Sequence, residues 1–309
     1  MKLDAAYALG AASHTGRLRS HNEDDFLVLD PHEPELRSRI GSLFVVADGM
    51  GGAAGGAEAS RCAVRALAGA LIADAGTEPP AARLRAAYGA ACRSVYERGR
   101  VRPALRDMGT TLTCLQVLGG RAVLGHVGDS RCLLHRNGRL RQLTVDHVVS
   151  PGEPQLTRVI GAGRDHEEVD VSEFAVEAGD TFVLLSDGVW SLVPEAVLLD
   201  LLRRRTPRDA AEALVAEANR RGAPDNATAL VVNVRAVAAT GEASDPGLSG
   251  DEPPLPAVRV ANATPLGAPR WPWMVIVPCL LVLAAAAAKA FADVDLVAYL
   301  GRLGGAILR

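Results

Sequence analysis

The chain has 309 residues, 49% of them apolar, which is enough for a substantial core. Its 33 basic and 36 acidic residues leave a formal charge of -3, without the basic footprint of a phosphate-backbone binder, so nucleic acid is excluded as the main partner. Cys62, Cys92, Cys114, Cys132 and Cys279 make no CxxC pair and no Cys/His cluster of zinc spacing, and read as thiols in a reducing compartment.

Met1–Gly10 lacks a basic stretch followed by an apolar run, so no secretory signal is predicted and the globular part is expected in the cytosol. Residues 1–236 read as one globular domain. Short apolar runs predict strands at Phe26–Leu29, Leu43–Ala47, Thr110–Leu118, Ala122–Val127, Arg131–His135, Arg139–Thr144, Thr181–Ser186 and Ala227–Val234. Gly119-Gly120-Arg121 and Asn137-Gly138 are hairpin turns. Helical spacing covers about 56–73, 80–99, 194–205 and 207–221, with Pro194 and Pro207 where helices start. Strands come in hairpins and helices in pairs between them. The expected class is therefore α+β with antiparallel sheets.

Residues 237–270 are rich in Pro, Ala, Gly, Ser and acid, as in Asp251-Glu252-Pro253-Pro254, and read as a disordered linker. Trp271–Ala288 carries no charge and is about the minimum length for a membrane span. Trp271 and Trp273 suit an interface. A single transmembrane helix is expected at 271–290, followed by a short tail at 291–309, with the globular domain on the cytoplasmic side.

The acids carry the chemistry. Asp48, Asp129 and Asp187 each end an apolar strand, Asp225 opens another, and Glu23, Asp24 and Asp25 precede a fifth. Each alone is most simply a turn residue. Brought to one sheet edge they would repel and need neutralising. Oxygen ligands without Cys or paired His favour Mg²⁺ or Mn²⁺ over Zn²⁺. Gly49 after Asp48 lets a backbone carbonyl approach a ligand.

Eight segments occur in a telling order: Arg19-Ser20-His21-Asn22-Glu23-Asp24, Ala47-Asp48-Gly49-Met50-Gly51-Gly52, Gly109-Thr110-Thr111, Val127-Gly128-Asp129-Ser130-Arg131, Leu143-Thr144-Val145-Asp146-His147, Leu156-Thr157-Arg158-Val159-Ile160-Gly161, Ser186-Asp187-Gly188 and Asp225-Asn226. Together they resemble the bacterial branch of the metal-dependent serine/threonine protein phosphatases, the protein phosphatase 2C family, over roughly residues 5–235. The resemblance implies a four-layer α-β-β-α sandwich with a two-metal site at one end. It implies that Asp48 bridges two Mn²⁺ or Mg²⁺ ions and that Asp187 and Asp225 hold the first. Glu23 and the Gly49 carbonyl serve the second, Asp24 orients the attacking water, and Arg19 grips the substrate phosphate. Asp129 matches a ligand of a third, weaker metal. The implied reaction is hydrolysis of phosphoserine and phosphothreonine in proteins by a water bridging two ions, with no phosphoenzyme, opposing a serine/threonine protein kinase. No DxDxT run offers a covalent nucleophile, and the CxxxxxR pattern occurs only as Cys92–Arg98, inside the predicted helix at 80–99 and not in a loop.

The sequence departs from the family at three places. Met50 and Ala53 leave no histidine at the usual general-acid positions. Ser191 stands where the family has an aspartate, which removes a ligand from the third metal site. Only Val148–Gln155 separates His147 from Leu156, so the flap segment is nearly absent. His147 reads as a structural hydrogen-bonding group. These departures leave two other readings open: a phosphatase-fold sensing module with weak or no catalysis, and a phosphohydrolase of small molecules.

Overall fold

The computed structural model describes residues 6–52, 55–74, 76–150 and 155–237. In chain order the elements are β1 (Tyr7–His14), β2 (Asp25–Leu29), α1 (Pro34–Ile40), β3 (Ser42–Ala47), β4 (Gly49–Met50), α2 (Gly55–Ala73) and α3 (Pro80–Val101). A 3₁₀ turn at Pro103–Leu105 leads into β5 (Gly109–Thr110), β6 (Leu112–Leu118), β7 (Arg121–Val127), β8 (Arg131–Arg136) and β9 (Arg139–Gln142). The remainder is β10 (Ile160–Gly161), β11 (Asp170–Ala175), β12 (Thr181–Leu185), α4 (Asp187–Trp190), α5 (Glu195–Arg204), α6 (Pro207–Arg220) and β13 (Ala227–Val234).

Two five-stranded antiparallel sheets form, in the orders β1-β13-β12-β8-β9 and β11-β7-β6-β3-β2, with a small sheet β10-β5-β4 beside them. Alternation along the central strands builds three apolar layers. Phe44 and Val46 of β3 meet Phe182 and Leu184 of β12 and Leu230 and Val232 of β13 between the sheets. Leu43 and Val45 of the same strand face Leu67, Leu71, Leu84 and Tyr88 of α2 and α3. Val183, Leu185, Ala229 and Val231 face Leu198 of α5 and Leu214 and Val215 of α6. A strand buried on both faces reads as a continuous apolar run, as β3 and β12 do. The α-β-β-α order follows from these contacts.

The predicted helices form within two residues of their expected ends. The turn glycines behave as expected: Gly119 and Gly120 have φ of 56° and 79°, Asn137 and Gly138 of 51° and 76°. Seven elements carried no signal: β1, β4, β10, β11, α1, α4 and the 3₁₀ turn. β1 is rich in Gly and Ala, and it becomes a strand because its eight residues pair with β13. Gly10 is required there, since a Cβ would lie 2.0 Å from the Pro207 carbonyl oxygen. β11 is an edge strand with acidic and exposed positions and is held by β7. α1 and α4 span 7 and 4 residues, too short for helical periodicity to show. Thr111 interrupts the predicted strand at 110–118, splitting β5 from β6.

Among the described residues no helix is long and apolar enough to cross a membrane. The expected span at 271–290, the tail at 291–309 and the linker beyond Val237 lie outside the described residues.

Phe182 is fully buried at the centre of the inter-sheet layer. Phe182→Ala should lower unfolding free energy by about 3–5 kcal/mol in urea titration, while Val101→Ala at an exposed position should stay within about 0.5 kcal/mol.

Candidate active site

The strand ends bring the acids to one end of the sandwich. Asp48 leaves β3, and its backbone is pinned on both sides. Its N–H donates to Thr111 Oγ1 at 2.8 Å, and its carbonyl accepts from the Thr111 N–H at 2.8 Å and the Thr110 hydroxyl at 2.9 Å. Thr111 Oγ1 also meets Ser130 Oγ at 2.7 Å, which ties Asp48 to the turn carrying Asp129. Asp187 opens α4 directly after β12, and Asp225 precedes β13, the strand next to it. Asp24 comes in from the opposite sheet. Its Oδ2 accepts from Thr228 Oγ1 at 2.6 Å and Ser186 Oγ at 2.8 Å.

These carboxylates load one another electrostatically. Burial, then the charges of Asp24, Asp187 and Asp129, holds Asp48 well above the usual carboxylate range. Burial is the main cause at Asp24 too, pushing it up to about 7 against the two hydroxyl hydrogen bonds, with Asp187 and Asp225 adding to the rise. Asp129 is also pushed up to about 7, by burial and then by Asp187 and Asp146. Asp187 is raised by burial and by Asp225. Asp24 Oδ1 and Asp187 Oδ1 are buried without a hydrogen-bond partner. A buried carboxylate oxygen left unpaired among other acids is costly unless a cation meets it.

Glu23 and Gly49 share a second corner. The Glu23 N–H donates to Asn226 Oδ1 at 2.8 Å, and its carbonyl accepts from Ser60 Oγ at 2.6 Å. A Cβ on Gly56 would lie 2.6 Å from Glu23 Oε2 and 2.7 Å from the Gly49 carbonyl oxygen. The bare α-carbon of Gly56 therefore keeps open the place where these two oxygens approach each other. Among the described residues no three carboxylate, imidazole or thiol side chains already form a closed cation cage. The fit to a metal rests instead on the hard-oxygen donor set, the unpartnered buried oxygens and the corner that Gly56 leaves clear. Arg19 stands at the edge, its Nη2 donating to Asp225 Oδ2 at 2.6 Å.

The rim is rigid. His147 accepts from the Gly128 N–H at Nδ1, 3.1 Å, while its own N–H donates to the Gly128 carbonyl at 2.8 Å. Its Nε2 lies 3.0 Å from Asp170 Oδ2, and Asp170 also accepts from Arg158. His147 thus clamps the turn that presents Asp129, in line with the structural role expected of it. Arg131 pairs with Asp146 through Nε and Nη2 and stacks 3.5 Å from the Trp190 ring centre, linking that loop to α4. Ser191 lies one turn after Asp187, where a further carboxylate would have been close to the cluster. Met50 sits in β4, and Ala53 is outside the described residues. The shortened flap starts as a narrow pairing, with Val148 bridging Leu156 and the Val149 N–H donating to the Gln155 carbonyl at 3.1 Å.

Sequence reasoning assigned no roles to the groups that hold the acids: Ser186, Thr228, Thr110, Thr111, Asn226 and Gly56. Asn226 donates through Nδ2 to the carbonyls of Thr15 and His21 at 2.8 and 2.9 Å, stitching down the loop that carries Arg19. Their only signal was position, beside acids at strand ends.

Comparison with known proteins bears on the family and the fold. The profile of the family described as Protein phosphatase 2C matches residues 19–220. The serine/threonine protein phosphatase PstP of Mycobacterium tuberculosis (strain CDC 1551 / Oshkosh) is 34% identical over 239 residues, covering 72% of this chain but 44% of the relative. This chain thus spans less than half the length of that relative. The serine/threonine phosphatase stp of Listeria welshimeri is 32% identical over 242 residues, covering 70% of this chain and 92% of the relative. A crystal structure of the catalytic domain of PstP in complex with 2 manganese ions superposes with a TM-score of 0.65 at 32% identity, covering 75% of this chain and 99% of that one.

Asp24 and Asp129 have folded-state pKa values raised to about 7 from 3.8. Their protonated forms favour the fold, so that stability is complete below about pH 4 and is lost as pH rises through about 7. In metal-free buffer the melting temperature should therefore fall between about pH 4 and pH 7 through these groups. Added Mn²⁺ at pH 7.5 should raise it and chelator should reverse the rise, read by differential scanning fluorimetry.

Proposed function

The chain belongs to the protein phosphatase 2C family, and from that premise we propose that it hydrolyses phosphoserine and phosphothreonine in proteins with two bound Mn²⁺ or Mg²⁺ ions. The observation that supports this most is the buried acid cluster, four aspartates whose proton affinities are all raised by burial and then by their neighbours, and two of which keep unpartnered oxygens. Asp48 would serve both ions, Asp187 and Asp225 the first, and Glu23 with the Gly49 carbonyl the second. Asp129 would reach a third, weaker ion, with Ser191 in place of a further ligand. Bound in pairs, such cations lower the pKa of water and neutralise the charge of a phosphate dianion.

The chain's own groups do the rest. Ser186 and Thr228 fix Asp24 through Oδ2, which leaves Oδ1 as the acceptor that orients water for in-line attack on phosphorus. The guanidinium of Arg19 is permanently charged, and half exposed beside Asp225 it offers a planar fork to a substrate phosphate. No histidine stands at Met50, so the departing serine or threonine oxygen takes its proton from water. Direct attack needs no covalent enzyme intermediate. Opposition to a serine/threonine protein kinase follows from the substrate class. The uncharged run 271–288 supports a membrane anchor at 271–290, which would hold the domain of residues 1–236 at the cytoplasmic face through the 237–270 linker.

The test is hydrolysis of a phosphothreonine peptide by the full chain with Mn²⁺ and with chelator. Turnover should appear with metal and vanish with chelator. Asp48→Asn should cost more than about 100-fold in kcat/KM, since even groups behind a metal ligand cost 10–100-fold. The same variant should melt higher than the parent in metal-free buffer at pH 7.5, because it removes a buried acid whose ionisation the fold opposes. Arg19→Ala should lower kcat/KM about 10- to 100-fold, the loss of a charge-assisted hydrogen bond. A folded, metal-loaded chain with no turnover would leave a binding module in place of an enzyme. For the anchor, the full chain should sediment with membranes and a chain ending at residue 240 should not.

A further inference from the structure

The apolar rows of β1 and β13 end in hydroxyls. Along β1, Tyr7, Leu9 and Ala11 pack into the layer between the sheets, and along β13 Leu230, Val232 and Val234 do the same. Period-two alternation puts Ser13 and Thr228 next in those rows, and the two are cross-strand partners in the β1–β13 pairing. Their hydroxyls meet at 2.8 Å, and Thr228 is fully buried. An apolar pair would continue the layer with no polar group to satisfy.

The donors in this corner can be assigned one by one, because each hydroxyl carries a single hydrogen. Asn22 is the fixed end. Its Oδ1 accepts the Asp24 N–H at 3.2 Å, so its Nδ2 is the group that donates to Ser13 Oγ at 2.8 Å. At the other end Thr228 Oγ1 donates to Asp24 Oδ2 at 2.6 Å. With the Thr228 hydrogen used there, the Ser13 hydrogen goes to Thr228. Every donor therefore points the same way: Asn22 to Ser13, Ser13 to Thr228, Thr228 to Asp24. The chain also closes, since Asn22 holds the backbone of the residue whose carboxylate the far end holds. Ser186 adds a branch, taking the Thr228 N–H at 2.9 Å and donating to the same Asp24 Oδ2 at 2.8 Å. Hydrogen bonds aligned head to tail polarise and strengthen one another.

We infer that Ser13 and Asn22 are positioning residues for the hydrolytic step: through Thr228 they hold Asp24 Oδ2, and so keep Oδ1 turned to the attacking water. This rests on the role given to Asp24 in the phosphatase reading above. Among the described residues the Ser13 hydroxyl bonds only Thr228 and Asn22. It reaches neither the donors proposed for the cations nor Arg19, so its loss acts on the chemical step and leaves binding of metal and phosphate alone. A small error in the direction of a catalytic group is enough to slow that step.

The experiment uses the full chain, Mn²⁺ and a phosphothreonine peptide, with kcat and KM resolved. Ser13→Ala should lower kcat about 3- to 10-fold, the worth of one net hydrogen bond. KM should stay within about twofold, as should the Mn²⁺ concentration that gives half of the metal-induced rise in melting temperature. Ser13→Thr keeps the hydroxyl and should return kcat to within about twofold of the parent. In a Thr228→Val background the chain is already cut, and adding Ser13→Ala should cost less than about 1.5-fold more. If Thr228→Val turns over too slowly to assay, Asn22→Ala takes its place as the background, with the same expectation for Ser13→Ala. Unchanged kcat in Ser13→Ala, a loss that Ser13→Thr does not restore, or a loss that persists in the cut background would overturn the positioning role. So would a fall in kcat matched by weaker Mn²⁺ binding, which marks a general loosening of the fold. No turnover by the parent chain would instead overturn the phosphatase reading, and this role with it.

Discussion

Carboxylates repel, and a fold that holds several of them below its surface must restrain each one against that repulsion. This constraint organises the chain. Asp24, Asp48, Asp129 and Asp187 all have proton affinities raised by burial and by one another. The Asp48 backbone is tied to the Thr110 and Thr111 hydroxyls and the Thr111 N–H, and the Asp24 side chain to Ser186 and Thr228. Those groups sit at the ends of strands whose other residues fill the three apolar layers. The hydrophobic stabilisation of the sandwich opposes the electrostatic cost at its edge.

The two sheets divide the work. Asp48 and Asp129 come from the ends of β3 and β7, in the sheet that α2 and α3 cover. Asp187 and Asp225 come from the end of β12 and the start of β13, in the sheet that α5 and α6 cover. Asp24 precedes β2 in the first sheet but is held by Ser186 and Thr228 of the second. The cluster exists only when the sheets are packed, so its electrostatics and the inter-sheet core are coupled. A cation there would act as a crosslink between the layers as well as a catalyst.

The centre and the rim differ in character. The central acids are the donors proposed for two ions. At the periphery, Ser191 stands in for a carboxylate, and the flap is cut to a narrow pairing between Val148 and Leu156. Changes of this kind alter what reaches the site without altering the chemistry at its centre. His147 and Arg131 then matter as braces: with the flap short, they are what hold the 143–149 loop against β7 and α4.

Much of this was legible in the sequence. Short apolar runs marked the central strands, Asn137-Gly138 marked a hairpin, and four helices followed from 3.6-residue spacing, because these signals are local. Acids at strand ends pointed to a hard-cation site, and the ordered segments around them pointed to the family. β1 and β11 were not legible, because Gly, Ala and acidic residues become strands only through partners far along the chain. The restraining groups were equally silent: a serine, two threonines or an asparagine next to an acid looks like any turn until the sheets pack. By itself the sequence marked which residues are candidates for the chemistry, since charge and ligand hardness are properties of side chains. Only the tertiary structure decided that acids from two sheets meet and that Gly56 keeps the Glu23 corner clear, since proximity between distant segments is set by packing.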